Sequence, residues 1–246
     1  MSKRVLVTGA SRGIGRAIAL QLAADGWNVA IHGSKVGAEL EKTRDLLGSN
    51  TSGVYAADLA HPASADAMID RALDSGPLHA FVNNAGVYHP LNFLESSDSE
   101  FDTNLQRTMA INFESPIRLI RRMAKYFEGQ GGGKILNVAS RVGFRGEAGA
   151  SVYSASKAAL INITRALAVE LAPKNIGLFG IAPGWVDTAM VRDGMEDRLP
   201  AILETIPLGR MATPEDCASA ASFLLSDAAA YLSGQVIDIN GASYFH

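Results

Sequence analysis

Short apolar runs rich in β-branched residues alternate with longer stretches of helical periodicity along the whole chain. Residues 5–8, a helical stretch from Gly13 to about Gly26, and residues 28–32 predict a strand–helix–strand unit. The alternation continues through runs at 53–56, 78–83, 134–139, 177–182 and 235–239, so seven strands are predicted. Strands separated by helices imply parallel pairing, and hence a doubly wound, Rossmann-like α/β fold with helices on both faces of the sheet. Thr213 followed by Pro214, Glu215 and Asp216 predicts a helix start: a hydroxyl cap, proline in the first turn and acids near the positive end of the dipole. That helix runs to about Ser226. Residues 189–206 mix charges (Arg192, Asp193, Glu196, Asp197, Arg198) with apolar Met190, Val191, Met195 and Leu199, and predict a mobile helical flap near a ligand crevice.

Composition narrows the picture. The 246 residues, 48% of them hydrophobic, can bury a large core. No composition break or repeat divides them, and Gly131-Gly132-Gly133 is too short for an interdomain linker, so one domain over 1–246 is expected. A net charge of −3 argues against a nucleic-acid partner. No uninterrupted apolar run approaches the ~18 residues of a membrane span, and no secretory leader is evident, so a cytoplasmic protein is expected. A single cysteine, Cys217, allows no intrachain disulfide. The five histidines lack ligand spacing, so no metal site is expected and they read as surface or loop residues.

The first apolar run leads into a glycine-rich turn, Thr8-Gly9-Ala10-Ser11-Arg12-Gly13-Ile14-Gly15. A strand, a glycine turn and a helix N-terminus present unpaired N–H groups and a positive dipole end to phosphate. Gly9 permits the turn, while Gly13 and Gly15 allow close approach of a pyrophosphate. The spacing differs from the commonest dinucleotide fingerprint, so the turn alone also fits a connection that binds nothing. The second strand ends in His32-Gly33-Ser34-Lys35, with no acid to hold a ribose 2'-hydroxyl. Ser34, Lys35 and Arg12 would instead attract a 2'-phosphate through charge-assisted hydrogen bonds, so NADP(H) is expected over NAD(H).

Ser140 ends the 134–139 run, at the strand edge where open α/β sheets bind ligands, and its hydroxyl can hold a carbonyl. Tyr153 and Lys157 are four apart in a stretch of helical character and share a face. A free phenol titrates near 10, too high for a base near neutrality. An adjacent ammonium and an oxidised nicotinamide would lower it by roughly 1 to 3, and in the reductive direction the same phenol donates a proton as a general acid.

Taken together, these motifs resemble the short-chain dehydrogenase/reductase family. The resemblance runs from Lys3 to Gly241 and rests on the glycine turn, Asn83-Asn84-Ala85-Gly86, Asn112, Ser140, Tyr153-x-x-x-Lys157 and Pro183-Gly184. It implies that Gly9, Ser11, Arg12, Gly13, Ile14 and Gly15 hold the cofactor's phosphates. It also implies that Asp58 and Leu59 flank the adenine, that Asn84, Ala85 and Gly86 line its ribose, and that Asn83 steadies the sheet. Lys157 would hold the nicotinamide ribose, with Pro183, Gly184, Val186 and Thr188 around the ring, and Asn112 would hold a water linking Lys157 to solvent. Within the family the chain most resembles bacterial 3-oxoacyl-[acyl-carrier-protein] reductases, which implies an NADPH-dependent carbonyl reductase of fatty acid biosynthesis and a homotetramer. The stretch Glu128-Gly129-Gln130-Gly131-Gly132-Gly133 lacks the basic residues that dock a carrier protein, although Arg121, Arg122, Lys125 and Lys174 offer other cations. An alcohol, sugar or polyol dehydrogenase uses the same residues in reverse, and a silent nucleotide-binding protein would have no need of all three of Ser140, Tyr153 and Lys157. Tyr88, His89, Phe93, Arg141, Phe144, Arg145 and Trp185 individualise the substrate side, where solvent-facing loop positions are expected for them.

Overall fold

Every side chain of the first strand, β1 (Arg4–Val7), is buried, because helices cover both faces of the sheet it belongs to. The computed structural model describes residues 3–189 and 198–246. Seven strands, β1, β2 (Asn28–Gly33), β3 (Thr51–Ala56), β4 (Ala80–Asn83), β5 (Gly133–Val138), β6 (Ile176–Pro183) and β7 (Val236–Ile239), form one sheet in the order β3-β2-β1-β4-β5-β6-β7. All neighbouring pairs are parallel. The seven predicted strands are thus all present, with ends differing by a residue or two.

The two-residue period of a strand divides the core. Val5, Val7, Val29, Ile31, Val82 and Ile181 face α1 (Gly13–Ala24) and α8 (Pro214–Leu225), where they meet Ile18, Leu22, Ala221 and Leu224. Leu6, Ala30, Phe81, Ile135 and Leu178 face the opposite way, onto Met68 and Ile69 of α3 (Pro62–Asp74) and Leu119, Met123 and Phe127 of α5 (Ser115–Gly129). The predicted start of α8 is a capping box: Thr213 Oγ accepts from the Asp216 amide at 3.2 Å and the Asp216 carboxylate from the Thr213 amide at 2.8 Å.

Two further helices shape the site. α4 (Asp98–Met109) continues into α5 through one π-turn, Ala110–Glu114, so the helical ladder shifts register at Asn112. Pro116 has no N–H to give to the Asn112 carbonyl, which removes the ordinary partner of that oxygen. α6 (Ser151–Leu171) carries Tyr153 and Lys157 in its first two turns. α2 (Ala38–Leu47) follows β2, and α7 (Leu199–Glu204) precedes α8. Of the flap expected at 189–206, residues 190–197 lie outside the described residues. Strand order reverses between β1 and β4, and in such sheets the crevice at the carboxyl ends of those strands is the place for a ligand.

Candidate active site and dinucleotide crevice

A crevice of about 850 Å³ opens at that edge. Its wall includes every residue expected to touch a cofactor: Gly9, Ser11 to Gly15, Ser34, Lys35, Asp58, Leu59, Asn84 to Gly86, Tyr153, Lys157, Pro183, Gly184, Val186 and Thr188, with Ser140 beside them.

The glycine turn is built by close approach. Gly9 adopts φ +65, and a Cβ there would come within 2.8 Å of Ala85 Cα. A Cβ on Gly15 would overlap the Gly9 carbonyl and the Asn84 amide. That amide fills the space, donating to the Thr8 and Gly9 carbonyls at 2.8 and 3.1 Å, while Thr8 Oγ1 accepts from the amides of Asn84 and Ala85. Asn84 therefore ties β1 to β4 behind the turn. Arg12 at the start of α1 makes no side-chain cap, which leaves the first helical N–H groups to the crevice. A phosphate fits this cradle: the glycines clear the approach and the helix end is positive.

Behind the turn lies a brace that the sequence did not reveal. Arg16 Nε donates to Thr43 Oγ1 at 2.9 Å, its guanidinium also reaches the Ser11 carbonyl, and Thr43 Oγ1 donates to the Ala10 carbonyl at 2.9 Å. Glu39 closes it with an ion pair to Arg16 at 2.7 Å. Although Glu39 lines the same rim as Ser34 and Lys35, its carboxyl is held below the usual range, first by Arg16 and to a lesser extent by Lys42 and Arg12.

One histidine corrects the expectation of surface and loop positions. His32 is 1% exposed and lines the crevice. Burial pushes its imidazole down to about 4, against a smaller opposing effect from its bond to the Ala57 carbonyl.

At the other end of the crevice, Ser140 Oγ accepts the Val142 amide at 3.4 Å and donates to the Pro183 carbonyl at 3.5 Å, close enough to the Tyr153 phenol to favour its ionised form. Lys157, 4% exposed, donates to the Val138 carbonyl at 2.9 Å, with Nζ 5.7 Å from the centre of the Tyr153 ring. Burial pushes this ammonium down to about 8. In the protein alone, burial pushes the Tyr153 phenol up to about 12, the Ser140 hydroxyl acting in the opposite direction while Tyr88 and Glu147 add to the rise. The protein's own groups thus keep the proton on Tyr153, and any lowering has to come from a cationic ligand.

Asn112 is fully buried behind Gly86 rather than in the crevice wall. Its side chain is engaged: Oδ1 accepts the Val87 amide at 2.9 Å, and Nδ2 donates to the Val87 carbonyl at 2.9 Å and to Ser156 Oγ at 3.2 Å. Ser156 Oγ in turn donates to the Tyr153 carbonyl at 2.7 Å. Asn83 donates to Asn137 at 3.2 Å, and Asn137 to Thr164 at 2.9 Å, linking β4, β5 and α6.

On the substrate side, the Tyr88 ring meets Tyr153 edge-on with centroids 5.1 Å apart. Arg141 was expected at the surface but is 4% exposed: it pairs with Glu147 at 2.9 Å, reaches Ser243 at 3.4 Å and lies 5.6 Å from the Trp185 ring centre. Half-buried Phe144 stacks on His246 at 3.7 Å. His89, Phe93 and Arg145 are exposed, as expected. Two of the cations considered for a carrier protein are already engaged, Arg122 with Asp70 and Lys174 with Glu128. Among the described residues, no helix is long and apolar enough to cross a membrane.

The family model described as Enoyl-(Acyl carrier protein) reductase matches residues 9–242. The chain belongs to the short-chain dehydrogenase/reductase family. It is 35% identical to 3-oxoacyl-[acyl-carrier-protein] reductase FabG of Escherichia coli (strain K12), over 98% of this chain and 97% of that one. The crystal structure of 3-ketoacyl-(acyl-carrier-protein) reductase from Brucella melitensis complexed with NADH superposes with a TM-score of 0.89, at 31% identity over 99% of this chain and 98% of that one. A protein from Beutenbergia cavernae, provisionally assigned as an NAD(P)-dependent gluconate 5-dehydrogenase and holding NADP at low occupancy, superposes with a TM-score of 0.92 at 33% identity, covering 98% and 96%. This short-chain dehydrogenase/reductase is an NAD(P)-dependent oxidoreductase with a nicotinamide cofactor.

Proposed function

We propose that the protein is an NADPH-dependent carbonyl reductase acting on a ketone, with 3-oxoacyl thioesters as the first substrate class and Tyr153 as general acid. One observation carries the reading: Ser140, Tyr153 and Lys157 line one end of the crevice at the carboxyl edge of the sheet, where burial keeps the proton on the Tyr153 phenol. A phenol that holds its proton can give it to the alkoxide that develops as hydride reaches the carbonyl carbon. Bound reduced nicotinamide supplies the hydride.

Ser140 Oγ and the phenol converge on the place of a substrate oxygen, the first orienting it and the second protonating it. Lys157 replenishes the proton, and Asn112, in the π-turn that precedes Pro116, holds the water that connects it to solvent. Lys157 also holds the nicotinamide ribose, Asn84, Ala85 and Gly86 line the adenosine side, and Pro183, Gly184, Val186 and Thr188 bound the ring. Arg12, Ser34 and Lys35 favour NADP(H), since Glu39 is neutralised by Arg16 and does not oppose a 2'-phosphate. The engaged state of Arg122 and Lys174 favours substrates presented without a carrier protein. A cytoplasmic homotetramer completes the reading. The likeness to the Beutenbergia protein favours one alternative, oxidation of a sugar acid or polyol at the same site.

Initial rates with ketones, 3-oxoacyl thioesters and polyols, each with both cofactor pairs, test this. Thioester reduction by NADPH is expected to be fastest, with Tyr153→Phe losing roughly 10²- to 10⁴-fold in kcat/KM. Faster polyol oxidation, or a fully active Tyr153→Phe variant, would refute it.

A further inference from the structure

His32 takes two successive amides of the glycine turn. Its main-chain carbonyl accepts from Ala10 at 2.8 Å, and its ring Nδ1 accepts from Gly9 at 3.4 Å. On the far side of the ring, Nε2 lies 3.0 Å from the Ala57 carbonyl. An oxygen acceptor there requires Nε2 to carry the hydrogen, and the Gly9 amide requires Nδ1 to carry none, so the two contacts select one neutral tautomer. Burial, which disfavours the imidazolium, agrees with that assignment.

The two ends of the ring belong to different walls of the crevice. Gly9 opens the turn behind the phosphate cradle, and Ala57 directly follows β3, with Asp58 and Leu59 continuing from it along the adenine side. We propose that His32 is a positioning residue for the dinucleotide, a neutral imidazole strut that fixes the phosphate turn relative to the adenine wall. The inference rests on the reading of this crevice as a dinucleotide site. Main-chain bonds set the turn's distance from β2, while the Thr8–Gly9 peptide is held at its carbonyl by the Asn84 amide and at its N–H by the ring. Without it the Gly9 amide and the Ala57 carbonyl both lose a buried partner, and each recovers one by rotating its peptide away from the ligand-binding geometry.

Direct titration separates this role from general stabilisation. In His32→Phe, which keeps the ring shape and neither bond, the Kd for NADPH and for ADP is expected to rise about tenfold. The kcat at saturating NADPH should fall far less, because Ser140, Tyr153 and Lys157 lie at the other end of the crevice. His32→Asn, whose Oδ1 can replace Nδ1 toward Gly9, should recover part of the affinity. Wild-type affinity in a folded Phe variant would overturn the proposal. Long-range ¹H–¹⁵N correlation on histidine-labelled wild type tests it without any variant: Nδ1 bare and Nε2 protonated supports the strut, and the reverse overturns it. Wild-type protein that binds neither NADPH nor NADH would instead refute the dinucleotide reading itself.

Discussion

Lys157 is an ammonium held where water is scarce, and its depression from 10.5 to about 8 sets the size of the resulting stress. A difference of that size corresponds to about 3 kcal/mol by which the folded protein disfavours the charged form. The unfolded chain binds more protons than the folded one between pH 8 and 10.5, so stability should rise with pH across that window. Below pH 8 the full penalty persists. Lys157→Met removes the titrating group and leaves the Val138 carbonyl without its donor, a cost of about 1 to 3 kcal/mol that does not vary with pH. Taking the two pKa values, the wild type carries about 3 kcal/mol of charge burial at pH 7 and about 1 at pH 10, so it should gain roughly 2.5 kcal/mol on the variant between them. Urea unfolding of both proteins, cofactor-free and at one fixed concentration, measures this difference. A stability gap between the two that is the same at pH 7 and pH 10 would refute the reasoning and place the Lys157 amine in a wetter environment. The proposed catalytic role needs the charge that stability opposes, a conflict expected where function sets the residue.

Two other substitutions probe the crevice directly. Gly15→Ala forces a methyl into the Gly9 carbonyl and the Asn84 amide, and NADPH affinity measured by fluorescence titration is expected to fall more than about tenfold, with far-UV circular dichroism checking the fold. Arg12→Ala should weaken NADPH by about tenfold while leaving NADH within about twofold, a pattern that equal losses for both cofactors would contradict.

The sheet was legible because its strands are short, apolar and bounded by helical stretches, and Val5 to Val7 bury both alternating faces. Tyr153 and Lys157 were legible because four residues make one helical turn, and the glycine turn because a φ of +65 at Gly9 admits few other residues. What stayed hidden depends on partners distant in sequence. His32 sits at a strand end with nothing in its neighbours to say that Gly9 and Ala57 flank its ring. Arg141 was expected at the surface because Glu147, Ser243 and Trp185 converge on it only after folding. A lowered phenol was expected from the ammonium together with an oxidised nicotinamide, whereas in the protein alone desolvation by distant neighbours raises it. Asn112 was marked by motif alone, and its engagement with Val87 and Ser156 depends on a loop and a helix far from it in the chain.

The Asn84 amide occupies the volume that a side chain at position 9 or 15 would need. The Gly9 carbonyl and the Ala85 backbone crowd the same space, so replacing Asn84 does not free either glycine, and a library that randomises positions 9 and 15 should return almost nothing beyond the parent. Arg12, Ser34 and Lys35, by contrast, are exposed at the rim, so each can change alone. A route to altered nucleotide preference runs along that rim by independent single steps, while the turn beneath it stays frozen.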